Sequence, residues 1–138
     1  MYRRTMTYTD YFGTERTEDV YFNLNQAELT KLQLSTQNGY VDMLQRLIDA
    51  KDGPAIMETF DKIIRMAYGE KSSDGRRFIK SEELSEAFTQ TPMYEALYME
   101  LCTDAKAAAE FVKAILPEQL IKQAEQQNTI TDVVRQNS

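Results

Sequence analysis

The stretch "PAIMETFDKIIRMAYG", from Pro54 to Gly69, decides the fold. Its apolar residues recur every three or four positions, which is typical of one face of an α-helix. Pro54 suits the first turn of a helix, and Gly69 stands where a left-handed C-terminal cap belongs. This is the clearest helix of the chain. Its predicted buried stripe consists of Ile56, Met57, Phe60, Ile63, Ile64, Ala67 and Tyr68.

The next stretch, "YGEKSSDGRRFIKSEEL" from Tyr68 to Leu84, has the glycines and polar residues of a ligand-binding loop. A phosphate-binding loop needs a contiguous Gly-Lys-Ser/Thr, an earlier glycine and a strand leading in. Here Glu70 separates the glycine from the lysine, and Ile64 occupies the position of the earlier glycine. A predicted helix leads in, so nucleotide binding is not expected.

A calcium loop fits no better. With Gly75 as its turn glycine, the last ligand position falls on Ser81 instead of a glutamate, and Lys71 and Arg76 add positive charge. A connector between helices explains every residue without a ligand. Residues 72–75 form an Asx-type turn, residues 78–79 return to the core, and Ser81 caps the next helix.

The N-terminal residues predict a β-hairpin. Met6 and Tyr8 alternate with threonines, and Val20, Phe22 and Leu24 alternate with Asp19, Tyr21 and Asn23. This period of two is typical of strands. Gly13 lies in the polar link between the two strands, where a turn uses its freedom at positive φ.

The remaining helices are marked by caps and by apolar periodicity. Asn25 and Glu28 form a capping box, and Thr91 with Pro92 repeats the start signal of Ser81. The first two helices have predicted apolar sides formed by Leu29, Leu32 and Leu34 and by Tyr40, Leu44, Leu47 and Ile48. The last two have Tyr94, Leu97, Tyr98 and Leu101, and then Ala108, Phe111, Val112 and Ile115, before Pro117.

The predicted fold is therefore mainly α, with a small N-terminal β-hairpin packed on a bundle of about five helices. Residues 1–117 form a single helical domain in this prediction. Residues 118–138 are rich in Gln and Asn, and they are expected to form a short helix and a flexible C-terminal tail.

Composition limits the function classes. The chain has 138 residues, a net charge of −6 and no histidine. Nucleic acid is not expected as a partner, because binding it requires a basic face. Without histidine there is no Ser-His or Cys-His nucleophile, and the commonest zinc ligand is missing. The one cysteine, Cys102, is interpreted as a small core residue. No run of about 18 apolar residues predicts a membrane span, and no secretory signal is present, so a reducing, cytosolic compartment is expected.

Four segments resemble the tail assembly chaperones of long-tailed bacteriophages, mainly those of Gram-positive hosts. They are "YTDYFGTERTEDVYFNLNQAEL", "YGEKSSDGRRFIKSEELSEAF" and the pair "TPMYEALYMEL" and "TDAKAAAEFVKAILP". The resemblance covers roughly residues 5–117 and rests on structural landmarks, among them Gly13, Phe22, Asp74, Gly75 and Phe111. No catalytic signature belongs to it.

The resemblance implies a small helical, non-enzymatic protein made in the infected cell. Such a protein binds the tape measure protein, keeps it soluble and helps tail tube subunits polymerise around it, and it is absent from the finished virion. The tape measure protein and the tail tube protein are the implied partners, and self-association stays open. In many such phages a programmed frameshift adds a C-terminal extension, an event that a protein sequence cannot show.

A holding chaperone needs no cofactor or metal, only apolar surface that can receive amphipathic helices. Methionines suit such surfaces because they repack easily. The candidate client-binding residues are Met66, Met43 and Met99, with Met66 first because it lies off the stripe of its helix. The alternative function is a structural tail or neck component of the virion. An enzyme built on acids such as Glu82 and Glu83 is a third hypothesis, but exposed helix acids are far commoner.

Overall fold

A computed structural model describes residues 1–117, and the short helix and tail predicted for 118–138 lie outside them. The fold is mainly α with a small β part, as predicted. Six helices and four strands follow one another along the described chain. Their order is β1 (Tyr2–Thr9), β2 (Glu15–Phe22), α1 (Gln26–Ser35), α2 (Tyr40–Ala50), α3 (Gly53–Ala67), β3 (Tyr68–Lys71), β4 (Phe78–Ile79), α4 (Glu82–Thr89), α5 (Pro92–Thr103) and α6 (Ala105–Ile115).

The predicted hairpin is present and is part of a larger sheet. Strands β1 and β2 pair antiparallel from Tyr2 opposite Phe22 to Thr9 opposite Glu15, and Gly13 in the turn has φ +83°. The sheet order is β1-β2-β3-β4. The sequence analysis did not predict β3 and β4, because they are too short to show alternation.

Gly69 corrects one prediction. It is not a left-handed helix cap: α3 ends at Ala67, its C-cap Tyr68 is extended with φ −64° and ψ 138°, and Gly69 lies in β3 opposite Tyr21. A Cβ at Gly69 would lie 2.6 Å from the Phe78 ring and 2.8 Å from the backbone oxygen of Ile79. Glycine is required at position 69 because β4 lies too close to leave room for a Cβ, and not because the backbone there has a positive φ.

Aromatic rings connect the sheet to the helices. Phe22 is fully buried, and its ring centroid lies 5.7 Å from that of Phe88 and 5.5 Å from that of Phe111. Tyr68 stacks on Phe88 at 4.2 Å. Because Phe22 comes from β2, Phe88 from α4 and Phe111 from α6, this cluster fixes both helices against the inner face of the sheet.

The helix starts agree with the predicted caps. Asn25 and Glu28 form both hydrogen bonds of a capping box, and the hydroxyls of Ser81 and Thr91 accept hydrogen bonds from the first turns of α4 and α5. The predicted inward residues of α6 are all buried. Cys102 is half-buried against the core.

Two predicted apolar residues face solvent. The Leu34 side chain is 84% exposed, because it lies about 140° around the helix from the buried Leu29 and cannot reach the same core. The Met57 side chain is 45% exposed, because burial on α3 begins one turn later, at Phe60.

Candidate functional site: a groove between α1 and α4

An open groove of about 1160 Å³ lies between α1 and α4, with the end of α3 at its base. We call it the α1–α4 groove. Its apolar lining comes from Leu24, Leu32, Met66 and Ala87. Its polar lining comes from Glu28, Lys31, Arg65, Lys80, Ser81, Glu82, Glu83, Ser85, Glu86 and Gln90.

Helix geometry explains why Met66 reaches the groove. Ile63, Ile64 and Ala67 form the buried face of α3, whereas Met66 projects to the side of that face and stays half-buried. Ala87 is exposed because Phe88 and Ser85 occupy the buried positions of α4. The groove therefore has an apolar base that no described residue covers.

The structure does not bring the three candidate methionines together. Met66 lies in the groove, Met43 packs against the core from α2, and Met99 is 50% exposed on α5. Neither Met43 nor Met99 lines the groove. Met66 is thus the candidate with a concave site around it, and client binding by any of the three methionines stays a prediction.

Charged side chains form both walls of the groove. Lys80 Nζ lies 2.8 Å and 2.9 Å from the two carboxylate oxygens of Glu28, so this ion pair joins α1 to the start of α4. On the opposite side Arg65 donates to Glu86 at 2.7 Å and to Asp61 at 3.1 Å. The hydrogen bond to Glu86, and to a smaller extent the one to Asp61, raises the pKa of Arg65.

Glu28 has two structural functions. Its carboxylate accepts the Asn25 amide at 3.0 Å to complete the capping box, and it also accepts Lys80. The capping box could be predicted from the sequence. The ion pair between Glu28 and Lys80 could not, because the two residues are 52 positions apart. The arrangement can hold a chain with apolar side chains toward its base and charged side chains toward its walls.

The stretch from Ser72 to Arg77 is a turn, as the connector interpretation predicted, although it joins two strands. Asp74 Oδ1 accepts the Ser72 hydroxyl at 2.7 Å and the Arg76 amide at 3.0 Å, and Gly75 has φ +74°. These hydrogen bonds, with that of Ser72 the stronger cause, lower the pKa of Asp74. Within residues 1–117 no three His, Cys, Asp or Glu side chains are placed to hold a metal ion together.

A second exposed apolar feature is the tip of the β1–β2 hairpin, which the sequence analysis missed. Tyr11 and Phe12 are 84% and 96% exposed. Asp10 fixes the turn by accepting the amides of Phe12 and Thr14, each at 2.9 Å, and the Arg16 side chain at 2.7 Å. Two adjacent aromatic residues beside a turn glycine were the available signal.

Among the described helices, none has the length and apolar character needed to span a membrane. The chain's similarity to known proteins agrees with the resemblance given above. A family model described as "Phage tail assembly chaperone" matches residues 1–138. Neither a curated protein nor a solved structure matches the chain. Because the family model spans the whole sequence, the chain belongs to the phage tail assembly chaperone family.

Proposed function

We propose that this chaperone binds the tape measure protein of its phage in the α1–α4 groove. It keeps that client soluble and promotes polymerisation of tail tube subunits around it. The family places the protein in tail assembly in the host cell and indicates a non-catalytic role. We further propose that it acts in the cytoplasm during infection and is absent from the finished virion. The observation that carries the proposal is the uncovered apolar base of the groove between charged walls.

The groove suits a helical client. An amphipathic helix bound in a groove buries apolar side chains spaced three, four or seven positions apart. Fully burying one leucine-sized side chain contributes roughly 1.5–3 kcal/mol, and association costs several kcal/mol. A few such anchors therefore give a complex that is stable but reversible. Reversibility matters because arriving tube subunits must displace the chaperone.

The charged walls favour one orientation of the client. Lys31, Glu82 and Glu83 line the groove and form no ion pair with another residue of the described chain. Exposed charges such as these are screened within roughly 8–10 Å at physiological ionic strength, whereas apolar contacts are not. Binding should therefore survive moderate salt, with the charges setting register.

Co-expression with the tape measure protein tests the proposal. Alone, the client should be largely insoluble, and the wild-type chaperone should bring it into the soluble fraction as a complex. Ala87→Arg places a long charged side chain in the groove without touching the core, because Ala87 is exposed. We expect this variant to lose most of the soluble complex.

Ala96→Arg is the matched control. Ala96 is also an exposed helical alanine, but it lies on α5 and does not line the groove. Equal loss with both variants, or no loss with Ala87→Arg, would place the client elsewhere. Stoichiometric recovery of the chain in purified virions would instead support the structural tail or neck component.

A further inference from the structure

The outer edge of β1 is available for strand addition. β1 is the first strand of the order β1-β2-β3-β4, so within residues 1–117 only β2 lies beside it in the sheet. Its eight residues pair with β2 in an unbroken register. Helices α5 and α6 contact β1 from the inner face, for example through the ion pair of Arg4 with Glu100.

The hairpin turn determines which backbone groups point outward. Asp10 and Thr14 form the next pair after Thr9 and Glu15, toward the turn. The Asp10 amide donates to the Thr14 carbonyl at 2.8 Å, so this is a hydrogen-bonded pair. Hydrogen-bonded and non-hydrogen-bonded pairs alternate along an antiparallel ladder. Even-numbered residues of β1 therefore bond to β2. The residues whose N–H and C=O groups point away from the sheet are Arg3, Thr5, Thr7 and Thr9.

Of the features that oppose a further strand, β1 has only the inward-pointing charge of Arg4, which is paired with Glu100. Exposed edges are normally protected by proline, a bulge, an inward-pointing charge or a very short strand. Between Tyr2 and Thr9 there is no proline, glycine or bulge, and the strand is eight residues long. All four residues with outward groups are exposed, and three of them are threonines, which favour strands.

We propose that a second copy of this chain adds to the β1 edge, antiparallel, with Met6 opposite Met6 of the second copy. This two-fold arrangement places Arg3 opposite Thr9 and Thr5 opposite Thr7 of the other copy. Four hydrogen-bonded pairs then form, and each pair contributes two hydrogen bonds. Centring the two-fold on Thr5 instead gives only three such pairs, because Thr9 would then face Met1, outside the strand.

Charge favours the same register. The arginines of the two copies do not face each other, which avoids like-charge repulsion across strands. Arg3 faces Thr9 of the second copy, and Glu15 is the next residue across that copy's own hairpin. Strands two apart are separated by about 9.5 Å, a distance that extended Arg and Glu side chains can bridge. The two-fold axis generates the pair of Arg3 and Glu15 a second time, so the β1 edge is complementary to itself.

Amide hydrogen exchange of the full chain, followed residue by residue over a concentration series, tests the proposal. In a monomer the amides of Thr5, Thr7 and Thr9 exchange fast, while those of Arg4, Met6 and Tyr8 are protected. In the dimer both sets are protected, and protection of the threonines increases with protein concentration. Light scattering after size exclusion should show twice the monomer mass over the same range.

Thr7→Pro removes an outward N–H that the monomer does not use, and we expect at least a tenfold weaker dimer. Thr17→Ala is its control: it deletes the same 2.9 Å Thr7–Thr17 hydroxyl contact but leaves the edge intact. If the proline variant unfolds, Arg3→Glu should weaken the dimer and Arg3→Glu with Glu15→Arg should restore it.

Three results would overturn the proposal. One is a monomer at every concentration with fast-exchanging threonines. Another is a dimer that neither Thr7→Pro nor Arg3→Glu weakens. The third is protected threonine amides in a chain of monomer mass, which would mean that the chain covers its own edge.

Discussion

Replacing Gly69 with alanine tests the close approach of β3 and β4. The added Cβ would lie 2.6 Å from Phe78 Cε2 and 2.8 Å from the Ile79 oxygen. The ring can rotate by a small amount, but the oxygen belongs to the backbone that pairs with Glu70 and can only move with the strand. Overpacking of this kind costs about 1–3 kcal/mol.

That cost corresponds to a melting temperature lower by roughly 3–10 °C for a domain of this size. Urea unfolding and thermal melts followed by circular dichroism measure it. Gly53→Ala is the control, because Gly53 begins α3 and a Cβ there meets nothing within 4 Å. This control should be neutral or more stable by up to about 1 kcal/mol, since alanine restricts the unfolded chain.

Asparagine at position 69 separates the two explanations of this glycine. A left-handed helix cap accepts asparagine well. A site limited by space does not, so Gly69→Asn should be at least as destabilising as Gly69→Ala. If Gly69→Ala is as stable as Gly53→Ala, or if asparagine is tolerated, the steric reasoning is wrong.

Two further predictions concern Tyr40 and Asp74. Burial raises the pKa of Tyr40 to about 12 from 10.0, so the unfolded chain loses this proton first. Stability is therefore unaffected below about pH 10 and falls by a few kcal/mol in total between about pH 10 and 12. Urea unfolding at about pH 9 and pH 11 gives the free energy of unfolding of the wild-type chain and of Tyr40→Phe. The variant should lose less stability between the two pH values, and an equal loss in both proteins would contradict this prediction. Asp74→Ala should lower the free energy of unfolding in urea, because the turn loses the hydrogen bonds that Asp74 accepts from Ser72 and Arg76. Millimolar Ca²⁺ or Mg-ATP should not raise the melting temperature of the wild-type chain, and a clear rise would contradict the connector interpretation.

The sequence was informative for most helix starts and for the long N-terminal hairpin, whose signals lie within one turn or one pair of strands. The capping box of Asn25 and Glu28, the caps Ser81 and Thr91, and the stripe of α6 all involve residues a few positions apart. Side-chain hydrogen bonds to nearby amides form in almost any tertiary context, which is why they can be predicted. The family resemblance rested on the same local landmarks, and the family model confirms it.

The groove could be predicted only in part. Met66 was singled out because it lies off the stripe of its helix, and it does line the groove. Its partners could not be identified, because Leu24, Leu32 and Ala87 come from segments whose relative positions no local pattern gives. Met43 and Met99 were weaker candidates in the sequence, and the structure places Met43 against the core and Met99 half-exposed on α5.

Tertiary structure alone decided the role of Gly69, the pairing of β2 with β3 and the ion pair between Glu28 and Lys80. It also decided which edge of the sheet stays open and that Phe12 faces solvent. Caps, turns and periodicity act over a few residues, so the local sequence indicates where a helix begins and which of its faces is buried. Contacts between distant segments depend on how those segments pack, since a glycine that fits a helix cap also fits a strand pressed against an aromatic ring.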